Sequence, residues 1–312
     1  MTKVLAIGTF PEPQRTALQD GFAPGFLKHP GALAARPAEA RAGVSAVALR
    51  TIARIDGAAM DLLPDLKLIA NFGVGYDQID VAAATARGIK VTNTPDVLND
   101  DVADLAVAML LMQGRQMEAA SAWMRDGKWA STGPFPLNRK LSGGRAGILG
   151  LGRIGREIAD RLAGFKMEIH YHSRTRKQTP GWTCHADPVA LAEAVDFLIV
   201  AVVGGAETEG LVSAEVIAAL GPRGILINIA RGSVVDEAAL LEALEAGRLG
   251  GAGLDVFCNE PKIDPRFYAL PNVVLQPHQA SATVETRGAM AQLQRDNLAA
   301  FLAGKPLLTP VN

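Results

Sequence analysis

Short apolar runs alternate with helical patterns along most of the chain. In the first hundred residues the pattern predicts strands at 4–7, 46–49, 66–70 and 89–91, and helices around 12–20, 57–63 and 79–87. Gly88 follows the last of these helices, at a position where glycine commonly ends a helix. Strands that alternate with helices are typical of βαβ units, so we predict an α/β fold with parallel sheets.

A second βα series begins near Arg145. Its strands are predicted at 146–150, 167–172, 197–203, 224–229, 252–256 and 272–276. Several helices of this series carry start signals, because Asp187 precedes Pro188, and Ser213 and Asp236 stand where an N-cap is needed. These local signals support a second, separate parallel sheet.

Two longer helical patterns, one from Asp100 to about 124 and one from Val284 to about 302, flank the second series. Each follows a proline-bearing loop, and this arrangement predicts two chain crossings between two domains. Residues 98–280 are therefore predicted to form one domain, inserted into another that is built from residues 1–97 and 281–312.

Hydrophobic residues make up 49% and charged residues 20% of the 312 residues, a balance typical of globular proteins. The formal net charge of −1 gives no electrostatic reason to expect binding to nucleic acid or to an anionic membrane. The apolar runs are shorter than the ~18 residues that span a bilayer. The expected partners are small molecules and further copies of the chain.

The cysteine pattern excludes two other classes of protein. Cys184 and Cys258 are the two cysteines, and neither stands in a CxxC or Cys/His cluster, so we predict no disulfide framework and no metal site. The apolar run near the N-terminus is too short for the core of a secretion signal. A reducing cytoplasm is the expected location.

A GxGxxG motif is formed by Gly150, Gly152 and Gly155. It follows the strand predicted at 146–150 and opens a helix predicted at 156–162. In this context the glycines give a tight turn, a close approach to a pyrophosphate and close helix–strand packing. A glycine-rich turn without a ligand is the alternative, and the strand–motif–helix order favours dinucleotide binding.

The segment after the next predicted strand bears on the choice of cofactor. It contains Ser173, Arg174, Thr175 and Arg176, and no acid that could accept from a ribose 2′-hydroxyl. Arginines and hydroxyls suit a 2′-phosphate instead, so we predict NADP(H), preferred over NAD(H). A basic turn that simply faces water is the alternative.

Four residues with chemical potential follow the last predicted strands: Arg231, Asp255, Glu260 and His278. Residues just beyond the carboxyl ends of parallel strands line the ligand crevice, so these side chains are expected to converge there. Each alone has an ordinary explanation as a surface ion pair, a loop charge or a core histidine. Together, behind a dinucleotide motif, they indicate a site for hydride transfer.

At this point the chain resembles the D-isomer-specific 2-hydroxyacid dehydrogenases over nearly its whole length. The matching stretches are 71–80, 91–97, 147–155, 228–237, 253–261 and 277–283. Within that family, residues 100–104, 173–176 and 304–311 most resemble glyoxylate/hydroxypyruvate reductases and the related hydroxyphenylpyruvate reductases. The resemblance implies two Rossmann-like domains, with a nucleotide-binding domain inserted into a flavodoxin-like substrate domain, and a homodimer.

The resemblance also implies roles for individual residues. Arg231 would bind the substrate carboxylate, His278 would give a proton to the keto oxygen, and Glu260 would pair with His278. The backbone N–H groups of Val74 and Gly75 would meet the substrate carboxylate, where glycines allow a close approach. Further cofactor contacts are implied at Arg153, Ile154, Ala230 and Asp255, the last of them beside the nicotinamide.

The leading hypothesis is an NADPH-dependent reductase of small 2-keto acids such as glyoxylate and hydroxypyruvate, which yields D-2-hydroxy acids. A reductase of aryl 2-keto acids such as hydroxyphenylpyruvate is an alternative within the same class. An NAD(P)-sensing binding protein with little turnover is the alternative from another class, and the presence of Arg231, Glu260 and His278 together argues against it.

Overall fold

The computed structural model describes residues 3–51 and 53–312. The chain divides into two compact units, unit 1 with residues 1–98 and 283–312, and unit 2 with residues 99–282. These boundaries lie slightly later than the predicted ones, because Thr283 caps the last helix and so belongs with it. The following description treats each unit by itself.

The strands, in chain order, are β1 (Lys3–Gly8), β2 (Gly25–Leu27), β3 (Val44–Arg50), β4 (Leu68–Asn71), β5 (Lys90–Thr92), β6 (Arg145–Leu149), β7 (Glu168–His172), β8 (Thr183–Cys184), β9 (Phe197–Val200), β10 (Ile225–Asn228), β11 (Gly251–Leu254) and β12 (Val273–Leu275). The α-helices are α1 (Glu12–Phe22), α2 (Ala38–Arg41), α3 (Gly57–Asp61), α4 (Val81–Ala86), α5 (Asn99–Gly114), α6 (Met117–Arg125), α7 (Lys128–Ser131), α8 (Arg153–Gly164), α9 (Pro188–Ala194), α10 (Ala214–Leu220), α11 (Glu237–Glu245) and α12 (Val284–Leu302).

Unit 1 is built on a parallel sheet with the strand order β2-β1-β3-β4-β5. Its central strands are apolar and buried because helices cover both faces of the sheet. Helix α12, from the far end of the sequence, packs on β3 and β4. The buried amide of Gln294 on that helix donates to the carbonyls of Leu49 and Ala70, which fixes α12 to the ends of both strands.

Unit 2 is a 7-stranded parallel sheet with the order β12-β11-β10-β9-β6-β7-β8. The order reverses between β6 and β9, and ligands bind such sheets beyond the carboxyl ends of the strands at that reversal. The predicted fold class, α/β with two Rossmann-like parallel sheets, is therefore confirmed.

Three helix starts in unit 2 follow the capping signals in the sequence. The side chains of Asp187, Ser213 and Asp236 accept hydrogen bonds from backbone N–H groups in the first turns of α9, α10 and α11. Each cap satisfies a donor that the helix itself leaves free, which is why the start of each helix could be predicted locally.

The single helix predicted from Asp100 to about 124 is wrong. Helix α5 ends at Gly114, and the backbone of Gln116 is left-handed, with φ 47°, before α6 begins. Helix α5 packs on β10, β11 and α8, whereas α6 has no buried residue. Apolar residues continue from α5 into α6, so the apolar spacing of the sequence does not reveal this break.

The strand predicted at 197–203 is too long, because β9 ends at Val200 and Val203 is 61% exposed. Two short edge strands, β2 and β8, were not predicted. An apolar run does not distinguish a strand from the loop that leaves it, and strands of two or three residues are too short to show a period.

Candidate active site

The glycine motif forms a close contact between the strand β6 and the helix α8. Gly150 has φ 100°, a left-handed turn, and a Cβ on Gly155 would lie 2.1 Å from the Gly150 carbonyl oxygen. Gly152 stands at the N-cap of α8, and a Cβ built there would meet no atom within 4 Å. The helix N-terminus therefore opens on a space lined by backbone, which fits a pyrophosphate. Arg153 and Ile154 lie in the first turn of α8.

The segment after β7 carries exposed basic side chains next to the glycine motif. The Gly150 N–H donates to the carbonyl of His172, the last residue of β7, at 2.9 Å. Arg176 is exposed, and Arg174 forms an exposed ion pair with Glu207 at 3.1 Å. Such surface pairs are weak, so a bound phosphate competes readily for Arg174.

The two hydroxyl-bearing residues of this segment, Ser173 and Thr175, differ in exposure and in hydrogen bonding. Thr175 is exposed, whereas the Ser173 hydroxyl donates to the Thr175 carbonyl at 2.6 Å. A hydroxyl has one hydrogen to donate, so the donor role predicted for Ser173 requires this contact to open.

Arg231 stands in a tight turn after β10. The Asn228 side chain donates to the Arg231 carbonyl at 2.9 Å and accepts from the Ala230 N–H at 3.0 Å. These two hydrogen bonds fix the backbone of Ala230 and Arg231. A Cβ on Gly232 would lie 2.0 Å from the backbone of Phe257. The missing side chain thus allows the Arg231 turn to lie directly against the loop that carries Glu260.

His278 and Glu260 form the central hydrogen bond of the site. Nδ1 of His278 lies 2.7 Å from Oε2 of Glu260, and Oε1 of Glu260 accepts from the Phe257 N–H at 2.9 Å. The His278 side chain is 41% exposed, while Glu260 is 19% exposed. An ionised carboxylate accepts hydrogen bonds and cannot donate, so Nδ1 carries the proton and Nε2 is the nitrogen that remains for a ligand.

The charge on Glu260 follows from its neighbours. Burial alone raises the pKa of a carboxyl group, but the hydrogen bond and charge of His278, the Phe257 N–H and the charge of Arg231 together hold the pKa of Glu260 below its usual value. Glu260 is therefore a carboxylate at neutral pH. The carboxylate of Glu260 stabilises one orientation of the His278 imidazole ring. The charge of Arg231 favours the ionised form of Glu260.

Asp255 holds the backbone that carries His278. It is 1% exposed, and its two carboxylate oxygens accept from the N–H groups of Gln279 and Ala280 at 2.7 and 2.9 Å. Burial raises the pKa of Asp255, and these two N–H groups act in the opposite direction. His278 itself has φ 51°, a region that costs energy in a residue with a Cβ. The nicotinamide contact expected of Asp255 stays a prediction, and the loop contact is the role that the structure gives it.

A second carboxylate supports the same site and was missed in the sequence. Glu237 accepts from the Cys258 N–H at 2.8 Å, two residues before Glu260. Burial raises the pKa of Glu237, and burial together with Glu237 raises the pKa of the Cys258 thiol to about 11. In the sequence, Glu237 stands at a helix start, and no spacing links it to Cys258.

In unit 1, two asparagine side chains bind three consecutive carbonyl groups of the loop that follows β4. Asn71 donates to the carbonyls of Gly73 and Gly75 at 3.2 and 2.9 Å, and Asn93 donates to that of Val74 at 2.9 Å. These bonds fix the backbone of the loop, and the backbone N–H groups of Val74 and Gly75 stay the groups predicted to meet an anion, because an N–H donates and a carbonyl oxygen only accepts. Asn71 and Asn93 were not predicted as site residues, although both lie in the stretches that carry the family resemblance.

The structure thus places Arg231, Asp255, Glu260 and His278 at the carboxyl ends of neighbouring strands of unit 2. Val74 and Gly75 lie in unit 1. Among residues 3–51 and 53–312, no group of three or more His, Cys, Asp or Glu side chains is arranged to hold a metal ion. Within the same ranges, no helix has the length and apolar character needed to cross a membrane.

The chain matches one protein family and is similar in sequence to characterised reductases. Residues 107–280 match the family described as D-isomer specific 2-hydroxyacid dehydrogenase, NAD binding domain. The hydroxyphenylpyruvate reductase of Plectranthus scutellarioides is 47% identical over 268 residues, which are 86% of this chain and 85% of that protein. The 2-ketogluconate reductase of Gluconobacter oxydans (strain 621H) is 50% identical over 254 residues, which are 81% of each chain.

A solved structure is also similar over almost the full length. The crystal structure of the NADPH-dependent glyoxylate/hydroxypyruvate reductase from Sinorhizobium meliloti, in complex with NADP and malonate, has a TM-score of 0.94 to this chain. The two sequences are 46% identical, and the match covers 99% of this chain and 96% of that chain.

Replacing Asp255 by Asn tests whether this residue acts through the His278 loop. An amide has one acceptor oxygen where the carboxylate has two, so the Gln279 or Ala280 N–H loses its partner and His278 shifts. We expect kcat to fall by about 10- to 100-fold, while the Kd of NADPH, measured by fluorescence titration, changes less than about 3-fold. Asp187→Asn, at an exposed helix cap, is the control. Weakened NADPH binding at unchanged kcat would contradict the loop role.

Proposed function

Because the chain belongs to the D-isomer-specific 2-hydroxyacid dehydrogenase family, we propose that it reduces small 2-keto acids to D-2-hydroxy acids with NADPH as the preferred cofactor. Glyoxylate and hydroxypyruvate are the first candidate substrates. The observation that carries this proposal is the hydrogen bond between His278 and Glu260, because it leaves one imidazole nitrogen directed to a ligand.

The residues of unit 2 fit a dinucleotide cofactor. The close contact between Gly155 and Gly150 and the open N-terminus of α8 leave space for a pyrophosphate, with Arg153 and Ile154 in the first helical turn. Arg174 and Arg176, with Ser173 and Thr175, would hold a 2′-phosphate, and Ala230 and Asp255 would lie towards the nicotinamide. When bound, the cofactor supplies the hydride that reduces the keto carbon.

The remaining steps fall to the side chains. Arg231 binds the substrate carboxylate in a planar fork and polarises the keto oxygen. In unit 1, Val74 and Gly75 are proposed to offer their backbone N–H groups to a carboxylate. His278 gives the proton on Nε2 to the keto oxygen, which completes the hydroxy acid. Glu260 keeps the ring oriented by accepting from Nδ1, and it stabilises the protonated imidazole.

Reduction of aryl 2-keto acids is the second candidate function. The 47% identical relative from Plectranthus scutellarioides is named a hydroxyphenylpyruvate reductase, and this similarity favours a substrate side chain larger than that of hydroxypyruvate as the second candidate. The two candidates share the reaction and the residues that perform it. They differ only in the side chain of the substrate. A comparison of kcat/KM for hydroxypyruvate with kcat/KM for 4-hydroxyphenylpyruvate therefore distinguishes them.

We further propose a homodimer in the cytoplasm. The long helix α5 is packed inside unit 2, so its apolar residues give no support to a dimer. Large exposed apolar side chains lie after it instead: Met117, Met124, Trp129 and Leu137. Cys184 and Cys258 are free thiols, as a reducing compartment requires.

Light scattering on the purified protein tests the dimer. We expect a mass of twice that of the chain, and Trp129→Glu should shift it towards the monomer, because a charge replaces a 62% exposed indole. Glu118→Gln is the control on the same segment. A monomer at micromolar concentration of the unaltered protein would contradict the proposal.

The decisive assay is NADPH oxidation with glyoxylate, hydroxypyruvate and 4-hydroxyphenylpyruvate. We expect turnover of the small acids, and His278→Ala should lower kcat by about 10²- to 10⁴-fold, the usual contribution of general acid catalysis. His29→Ala, in unit 1, is the control variant. Tight NADPH binding without turnover of any 2-keto acid would favour the sensing protein instead.

The cofactor preference is tested by replacing Arg174 and Arg176 together by Ala. Loss of two charged partners of a 2′-phosphate should raise the KM of NADPH by at least about 10-fold, and the KM of NADH should change less than about 2-fold. Arg15→Ala, on α1 of unit 1, is the control. Equal use of NADH and NADPH by the unaltered protein would refute the preference for NADP(H).

A further inference from the structure

The loop from Ser173 to Lys177 is attached to a buried hydroxyl group. Tyr171 is the last buried residue of β7, with 1% of its surface exposed. Its hydroxyl accepts from the Lys177 N–H at 3.1 Å and donates to the Lys177 carbonyl at 3.2 Å. One hydroxyl therefore binds both backbone groups of the residue at which the loop ends.

A second attachment lies just after the loop. Arg156, on the first turns of α8, donates to the Gln178 carbonyl at 2.9 Å, and its guanidinium lies 4.7 Å from the centre of the Trp182 ring. Cation–π contacts of this kind stabilise by about 0.5–1 kcal/mol at exposed sites. The chain that returns to β8 is thus fixed to the same helix that begins at the glycine motif.

The start of the loop is fixed as well. His172 accepts from the Gly150 N–H through its carbonyl at 2.9 Å, so the loop leaves the sheet at the glycine turn. Between these attachments Arg174, Thr175 and Arg176 are exposed, and Arg174 pairs with Glu207. The backbone that carries the two arginines is held at both ends, although the arginines themselves are exposed.

The packing of the core does not require the hydroxyl group of Tyr171. A phenylalanine fills nearly the same buried volume, and the N–H and carbonyl of exposed Lys177 can bind water when the hydroxyl is absent. The hydroxyl therefore contributes chiefly to the shape of the loop. A loop held in its binding shape loses less conformational entropy when its side chains bind a ligand.

We propose that Tyr171 is a positioning residue for cofactor specificity: its hydroxyl holds the Ser173–Lys177 loop so that Arg174 and Arg176 face the 2′-phosphate of the cofactor. This inference rests on the proposed preference for NADP(H). We propose no direct contact between Tyr171 and the 2′-phosphate. Tyr171 acts through Lys177, and Arg156 binds the next residue, Gln178, just after the loop.

Calorimetric titration with adenosine 2′,5′-bisphosphate and with 5′-AMP tests the inference without turnover. For Tyr171→Phe we expect the Kd of the bisphosphate to rise by about 5- to 20-fold, as for two arginine side chains that must be ordered on binding. The Kd of 5′-AMP should change less than about 2-fold, because it has no 2′-phosphate. The KM of NADPH should rise in parallel, with kcat unchanged.

Tyr268→Phe, at a tyrosine that is 68% exposed, is the matched control and should leave both dissociation constants unchanged. Arg156→Met removes the second attachment and should weaken bisphosphate binding in the same direction, which keeps the test available if Tyr171→Phe melts early. Equal weakening of both ligands in Tyr171→Phe, or no weakening of either, would overturn the role of Tyr171.

The two proposals fail in different ways. If the unaltered protein binds 5′-AMP as tightly as the bisphosphate, the preference for NADP(H) is wrong and the role of Tyr171 is overturned with it. If the unaltered protein prefers the bisphosphate and Tyr171→Phe keeps that preference in full, the cofactor assignment holds and the role of Tyr171 alone is overturned.

Discussion

The site depends on one buried carboxylate. Asp255 binds two consecutive backbone N–H groups and thereby holds His278 in a left-handed conformation. That conformation costs about 1–2 kcal/mol in a residue with a Cβ. Hydrogen bonds to a charged group contribute about 1.5–3 kcal/mol each, so the two bonds of Asp255 offset the strain. Without them, the imidazole has no fixed position opposite Glu260.

The rest of the site is assembled by the sheet. Strands β10, β11 and β12 are neighbours, and Asn228, Leu254 and Leu275 are in register near their carboxyl ends. The residues that follow these ends are far apart in the sequence and adjacent in the fold. Glu237 binds the Cys258 N–H and Gly232 lies against Phe257, so the loop that carries Glu260 lies against the Arg231 turn. Glu260 then binds His278, and the charge of Arg231 acts on Glu260.

Local signals were sufficient for much of this account. The glycine motif, the capped helices of unit 2 and the strands of both sheets other than β2 and β8 could be predicted because each is specified within a few neighbouring residues. The break at Gln116 could not be predicted, because apolar residues continue from α5 into α6. Tyr171 and Glu237 were missed for a related reason: their roles consist of hydrogen bonds to backbone groups, which leave no trace in residue spacing.

The central claim is that hydride passes from the cofactor to the keto carbon while His278 supplies the proton. The most direct measurement is mass spectrometry of the hydroxy acid formed from hydroxypyruvate with NADPH that carries two deuterium atoms at C4 of the nicotinamide. The account predicts one deuterium on C2 of every product molecule, with the hydroxyl proton drawn from solvent. A product that carries no deuterium at C2 would contradict it.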